Sequence, residues 1–403
     1  MRRVLARALG LALFVSLLGP AAGYAQIQVQ ASVGSPGTQV NISYFYDNLS
    51  SDGEWFEEPS YGWVWTPYDM SSDWRPYYDG HWEYTDYGWS WASNERWGWA
   101  TYHYGRWLFD DSYGWVWVPG NEWAPAWVAW RYSDDWVGWA PLPPSAHWDG
   151  SIGLTFTSGN SIPSRDWSFV PQQHLLDVNI SLQVTSVARN VTLIERSRDA
   201  TRFEVRDGRP ANVGIDVANI EANLKRPVPR VKITDVDTPA RGGGQADGKG
   251  GVEFYRPSVR STPTDKATTP STAGRRNAVP DAVVSRQRDQ QQRKLDADLK
   301  AERSRLEREQ KQDLVTQPAG PAVDQVRKRH IAEQKAFDAH AAQRRQVLAQ
   351  RMQKKIVKPE EAKPASKPAE KPADQGQGKG QGQDKGQAED KDKDKNQGKG
   401  TSN

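Results

Sequence analysis

The chain of 403 residues contains no cysteine. That absence removes disulfides, thiolate nucleophiles, cysteine-bearing zinc sites and a lipidated N-terminal cysteine together. Apolar residues are few, at 36%, and the mean hydropathy is −0.81, which is too polar for one globule of this length, so part of the chain has to stay in water. Long apolar runs are scarce as well. The run Ala8 to Leu18 falls short of the roughly 20 residues a bilayer requires, and nothing later is apolar enough to span one, so no transmembrane segment is expected. Arg2, Arg3 and Arg7 precede that run, and Pro20, Ala21, Ala22, Gly23 and Ala25 follow it, which is the order of an export signal cleaved near Ala25. The expected product starts near Gln26 and is soluble in the periplasm or outside the cell.

What the chain does have is tryptophan and an uneven charge. The net charge of +3 hides a split: residues 26–150 carry 4 Lys or Arg against 17 Asp or Glu, a net −13, whereas residues 151–280 are +5 and residues 281–357 are +7. Of the 19 tryptophans, all but Trp167 lie in the acidic segment, between Trp55 and Trp148.

That segment repeats. Tyr61-Gly62-Trp63-Val64-Trp65, Tyr87-Gly88-Trp89-Ser90-Trp91 and Tyr113-Gly114-Trp115-Val116-Trp117 recur at a spacing of 26 residues, and one further step reaches Val137-Gly138-Trp139. Each copy follows an aromatic stretch such as Trp82-Glu83-Tyr84 or Trp107-Leu108-Phe109, with Asp, Ser and Gly between the two arms, where a tight loop needs positive φ. Alternation of period two puts Trp82 and Tyr84, and Trp89 and Trp91, on one face of each strand. The pattern predicts four hairpins near 53–66, 80–93, 105–118 and 127–140, as a repeating β meander that must stack or pair to bury its rings.

These motifs carry a resemblance. With Asp79-Gly80-His81-Trp82, Tyr102-His103-Tyr104-Gly105-Arg106-Trp107 and Val137-Gly138-Trp139-Ala140-Pro141-Leu142-Pro143-Pro144, the run from Tyr77 to Pro144 resembles a tryptophan-rich domain of unknown function that occurs in exported bacterial proteins. Trp167-Ser168-Phe169-Val170-Pro171 and Arg230 to Asp237 are similar to segments that accompany it. The resemblance implies export; it brings no activity and no functional residue.

The fold class expected is a mainly β N-terminal half followed by helix. After the signal peptide (1–25) and the Trp-rich domain (26–150), residues 151–239 read as a small β-rich domain packed on the first or continuous with it. Strands are expected at Val178 to Val184, Asn190 to Glu195 and Phe203 to Arg206, and a helical turn at Asn219 to Leu224. Residues 240–280, opening Arg241-Gly242-Gly243-Gly244, read as a flexible linker. Two polar helices fill 281–357, broken at 318–321. The first carries a thin stripe of Leu295, Leu299, Leu306 and Leu314, and the second Ile331, Phe337, Val347, Leu348, Met352 and Ile356. Polar residues near Glu302 and Gln310 interrupt the seam, so a loose antiparallel pair or a solvated helix is expected rather than a long coiled coil. The tail, 358–403, has the Lys-Pro-Ala and Gln-Gly-Lys composition of a disordered segment.

No catalytic constellation emerges, and no cofactor is called for. His81, His103, His147, His174, His330 and His340 are scattered without HExxH spacing, so no metal site is expected, and His103 between two tyrosines reads as packed among rings. Glu57-Glu58, Asp110-Asp111 and Asp134-Asp135 imitate paired acid catalysts, but neighbours on a strand point to opposite faces and most of these pairs sit in turns. Nucleic acid is disfavoured, because the rings lie in the segment that repels a polyanion.

The functional expectation is a non-enzymatic envelope adaptor. Its acidic β module binds one partner, an envelope protein or a glycan, and its basic helices another; the opposed charges also suit docking of those helices on the acidic domain, weakened by salt. The alternative is a polysaccharide- or peptidoglycan-binding module that stacks sugars on exposed indoles, for which Trp82, Trp89, Trp91, Trp107, Trp115 and Trp117 are the candidates. Against that stands the reading in which most of these rings form the core.

Overall fold

The computed structural model describes residues 39–260 and 281–356, apart from 69, 72, 157–160, 240–242, 249 and 317–319, with the side chains of 39, 281–288 and 354–356 also left out. The expected signal peptide and tail lie outside the described residues, as does the 261–280 part of the expected linker.

The chain opens with strand β1 (Gln39–Asn41) and helix α1 (Ser43–Leu49), whose Phe45 and Leu49 are fully buried. Four antiparallel hairpins follow within two residues of their expected bounds: β2 (Gly53–Glu58) with β3 (Gly62–Pro67), β4 (Gly80–Thr85) with β5 (Gly88–Ser93), β6 (Arg106–Asp110) with β7 (Gly114–Val118), and β8 (Val128–Tyr132) with β9 (Trp136–Pro141). In each, two indoles face each other across the ladder: Trp55 and Trp65, Trp82 and Trp91, Trp107 and Trp117, Trp130 and Trp139. The repeat in the sequence is therefore a repeated cross-strand indole pair. Gly62, Gly88 and Gly114 take positive φ at the turns, as the repeated Tyr-Gly requires.

The hairpins do not run on as a meander. The first pairs with the third, through Trp65 opposite Trp117, in the order β2-β3-β7-β6. The second and fourth find their neighbours in later chain. A short helix, α2 (Gly98–Thr101), stands between the second and third hairpins, and the indole contacts run between the first and third hairpins, as Trp55 with Trp117, and between the second and fourth, as Trp82 with Trp130.

Residues 151–239 are continuous with the Trp-rich hairpins, one of the two arrangements expected. After a small hairpin of β10 (His147–Asp149) and β11 (Gly153–Thr155), strands β12 (Ser168–Pro171) and β13 (Arg198–Asp199) flank the fourth hairpin in the order β12-β9-β8-β13. Strands β14 (Phe203–Arg206), β15 (Arg209–Asn212) and β16 (Arg230–Val231) extend the second hairpin in the order β14-β15-β5-β4-β16. The strands of the second and fourth hairpins are thus flanked by this region, which blunts them against pairing with other chains, whereas β2 and β6 stay at the edges of their sheet. Gly138 admits the neighbouring strand, since a Cβ there would lie 2.3 Å from the Phe169 ring.

Two expected strands are absent. Ile180–Leu182 is a 3-10 turn, with Ile180 buried while Val178 and Leu182 are 66% and 75% exposed, so the alternation never met a sheet face. Asn190–Glu195 is helix α3, although Val191, Thr192 and Ile194 are β-branched. Tertiary contact overrides propensity there: Thr192 and Leu193 are buried, and Asn190 Nδ2 donates to the carbonyls of Ser164 and Trp167 at 2.8 and 2.7 Å. The helical turn expected at 219–224 is part of α4 (Val217–Leu224), capped by Asp216 accepting from Ala218 N.

The linker reading fails for the described part of 240–280. Strand β17 (Ile233–Asp235) pairs with β19 (Val252–Phe254), which also pairs with β18 (Gln245–Ala246), and β20 (Ser258–Arg260) runs parallel to β1. Phe254 and Tyr255 are buried. The glycines that suggested flexibility serve close approach: a Cβ on Gly244 would meet Ala92 at 2.7 Å, and one on Gly243 would meet Trp99 Cα at 3.2 Å.

Helices α5 (Asp281–Thr316) and α6 (Pro321–Ile356) form an antiparallel hairpin with a core of Leu295, Leu299, Leu306, Phe337 and Ala341, joined by Ala188 from the β-rich part. The polar seam positions have partners. Glu302 accepts from Arg344 at 2.6 Å, and Gln310 donates to Glu333 at 2.9 Å. No described helix is long and apolar enough to cross a membrane.

Candidate functional site

All six indoles expected to stack on a ligand lie inside. Trp89, Trp91 and Trp117 are fully buried, Trp82 and Trp107 are 2% exposed, and Trp115 is 7% exposed. The reason is packing between hairpins: Trp82 lies 4.5 Å from Trp130 and 5.0 Å from Trp91 by ring centroid, and Trp107 lies 5.6 Å from Trp74. Rings that bury about 150 to 250 Å² each make a core in a segment with little Leu or Ile. Three of their N–H groups donate to main-chain carbonyls, Trp89 to Ile215, Trp107 to Thr101 and Trp117 to Tyr104, at 2.9, 2.9 and 2.7 Å, while Trp82 Nε1 and Trp91 Nε1 are buried without a partner. Trp63, Trp136 and Trp148 are half-buried, and none of the nineteen indoles is exposed.

Two polar groups sit against this aromatic core, Glu95 half-buried and His103 fully buried. Glu95 accepts from Trp74 Nε1 at 2.6 Å and from the Tyr102 hydroxyl, and burial, only partly offset by these donors, pushes its carboxyl up to about 8. His103 is fully buried, stacked on Trp123 with centroids 5.6 Å apart, and holds the Ala124 carbonyl through Nδ1 at 3.0 Å. Burial lowers it to about 4, so it is neutral near pH 7. Among the described residues no three His, Asp or Glu side chains converge as metal ligands would.

The acidic doublets behave as turns. Asp110 accepts from Ser112 N and Tyr113 N, both at 2.7 Å, and Glu58 from Ser60 N and Tyr61 N at 2.7 and 2.9 Å.

At the Val187–Arg189 turn the helices meet the β-rich part with the polarity opposite to the one the segment charges suggest, whereas Arg351 lies against the Gly114 turn of the acidic hairpins and faces Asp110. Arg189, at the end of the Val187–Arg189 turn, is a buried cation facing helix carboxylates: Asp313 at 2.8 Å, with Glu309 and Glu333 each at 3.8 Å. Glu333, 1% exposed, also accepts from the Thr192 hydroxyl at 2.9 Å, and Thr185 donates to Glu309 at 2.9 Å. Closer to the acidic hairpins, Gln343 donates to Asp111 at 3.1 Å. At the other end of the helical hairpin, Leu314, Val315 and Ile331 are 41%, 72% and 71% exposed, with Lys311, Arg327 and Lys328 exposed beside them.

A polar cleft of about 490 Å³ opens beside the fourth hairpin turn. Its walls are Asp134, Asp135 and Trp136 from that turn, Pro171 to Gln173 following β12, and Asn223, Leu224 and Arg226 at the end of α4. The turn is fixed by Ser133, whose N donates to Trp136 O at 2.9 Å and whose hydroxyl accepts from Trp136 N at 3.1 Å. Gln172 N donates to Asp135 O at 2.9 Å, which closes the floor. The Gln172 side chain is buried, and its amide nitrogen has no hydrogen-bond partner. Asn223 Nδ2 donates to the Tyr132 hydroxyl at 3.1 Å, and the Arg189 guanidinium lies 5.6 Å from the Trp136 centroid.

Residues 46–146 match the model of a family of unknown function (DUF6600). The DUF6600 match takes in all four Trp hairpins and stops before β10, so it supplies Asp134, Asp135 and Trp136 to the cleft, while Gln172, Asn223 and Arg226 lie beyond it. No curated protein and no solved structure matches the chain. Sequence reasoning picked the indoles of the repeat and missed Gln172, Arg189 and Asn223; a lone Gln or Arg in polar chain carries no pattern that marks it.

Proposed function

We propose that this protein is a non-enzymatic binding protein of the cell envelope, exported by its N-terminal segment, in which the DUF6600 hairpins are a rigid platform and the helical hairpin is the surface offered to a protein partner. One observation carries the reading: the end of that hairpin exposes Leu314, Val315 and Ile331 between cations, whereas the indoles of the repeat are turned inward. Apolar side chains ringed by charge on two facing helices are what a protein partner buries on binding. The ion cluster at Arg189 holds the helices to the platform, so the surface is presented in a fixed place.

The test is photo-crosslinking from a reactive residue placed at Ile331 in the full-length chain, expressed in its own cells. A discrete crosslinked protein, lost when Leu314 and Val315 are replaced by serine, is the expected result. Labelling no stronger than from a site placed at the exposed Lys300 would sink the reading. The alternative of sugars stacked on the indoles of the repeat loses its support with their burial.

A further inference from the structure

We propose that the cleft at Trp136 binds the hydroxyl groups and ring face of a neutral saccharide. This goes beyond the adaptor reading and does not depend on it, because the cleft and the tip of the helical hairpin share no residue.

Three features point to a ligand of this class. The first is the indole. Trp136 is half-buried and lines an open cleft, and its place is set by the Ser133 turn and by pairing with Pro171, so little freedom is lost when a ring settles on it. An indole face accepts the C–H face of a pyranose and gains from the apolar contact. The second is the floor. Gln172 is 3% exposed, and its main-chain N donates to Asp135 O at 2.9 Å, which fixes the carboxylate turn that a hydroxyl would meet.

The third is the balance of the rim. Asp134 and Asp135 only accept, Arg226 only donates, and the amides of Gln173 and Asn223 do both. An anion would face two carboxylates, and a cation would face the guanidinium. A hydroxyl is donor and acceptor at once, so a neutral polyol can use every group around the cleft. The volume, about 490 Å³, falls within the range of roughly 300 to 1,000 Å³ common for small-molecule clefts.

The experiment is isothermal titration of the full-length mature chain with chitotetraose, cellotetraose, maltotetraose and laminaritetraose, and with tetralysine as the cationic control. At least one tetraose should bind with Kd below about 1 mM. Replacing the two exposed carboxylates together, Asp134→Asn with Asp135→Asn, leaves the main-chain turn intact and should weaken that binding about tenfold or more. The proposal is overturned if no tetraose binds, if binding is unchanged in the doubly substituted variant, or if tetralysine binds more tightly than every tetraose. A failed crosslink at Ile331 would leave these outcomes untouched, so failure of the adaptor reading and failure of the cleft are separable.

Discussion

Arg189 donates to Asp313 Oδ2 at 2.8 Å, a contact between residues 124 apart in sequence that fastens the end of α5 to the β-rich part of the chain. The same guanidinium faces Glu333, which is 1% exposed, and covers one side of Trp136. A single buried cation is therefore shared by the helical hairpin and the cleft.

Arg189→Met should free the helices without melting the platform. Removing one member of a buried charge cluster costs about 3 to 5 kcal/mol, because the carboxylates left behind are uncompensated. Hydrogen exchange should accelerate on the order of a hundredfold in α5 and α6 while the amides of β4 and β5 keep their protection. Equal loss of protection in both would show that helices and platform unfold as one.

Asn212 is the second joint to probe. Its Oδ1 accepts from Trp130 Nε1 at 2.9 Å and its Nδ2 donates to Ala126 O at 3.1 Å, in a fully buried position that links β15 to the fourth hairpin. Asn212→Leu leaves both partners unmet and should lower stability by about 2 to 5 kcal/mol, read from the midpoint and slope of urea unfolding. A loss under about 0.5 kcal/mol would mean the bond does not hold the two parts together.

Glu95 makes the fold lose stability as pH rises from mildly acidic to mildly alkaline. Its folded pKa, about 8, lies above the ordinary carboxyl value of 4.5, so the folded state holds the proton more tightly than the unfolded one. Stability from this group is full below about 4.5 and is lost as pH rises toward and through 8. His103 acts in the opposite sense: with its folded pKa lowered to about 4, it costs stability as pH falls from 6.5 through 4. Glu95→Gln should therefore flatten the fall of Tm between about pH 4.5 and 8 and leave the slopes below 4.5 and above 8 unchanged, as thermal scans across pH will show.

Indole burial makes an optical prediction. Sixteen of the nineteen tryptophans are buried and three are half-buried, so iodide should quench only a small fraction of the emission, and Trp136→Phe should reduce that fraction. Quenching of most of the emission would place the repeat rings at the surface after all.

The hairpins were legible because their signals are local: an aromatic pair in each arm, Asp or Ser in the turn, and a Gly with positive φ. The long-range pairing was not. Nothing within the repeat says that Trp65 lies opposite Trp117, or that Arg230 and Val231 complete the sheet of the second hairpin. Residues Asn190–Glu195 misled through β-branched composition, and Gly243 and Gly244 through glycine content, because in both places contact with distant side chains decided the conformation. The stacking candidates were legible as rings and illegible as buried rings: period two puts Trp89 and Trp91 on one face but cannot say what covers it. At the cleft, Asp134 and Asp135 read correctly as a turn, while Gln172 reached them only through the pairing of β12 with β9.

The closeness of the indoles bears on how this protein will look to spectroscopists. Rings with centroids as near as 4.5 Å, such as Trp82 and Trp130, share their electronic transitions, and the coupled dipoles add circular dichroism bands of their own in the far ultraviolet. Those bands overlap the peptide signal of the strands. A sample could give a spectrum that deconvolutes as poorly structured while every hairpin is intact, and infrared amide bands will be the sounder gauge of its β content.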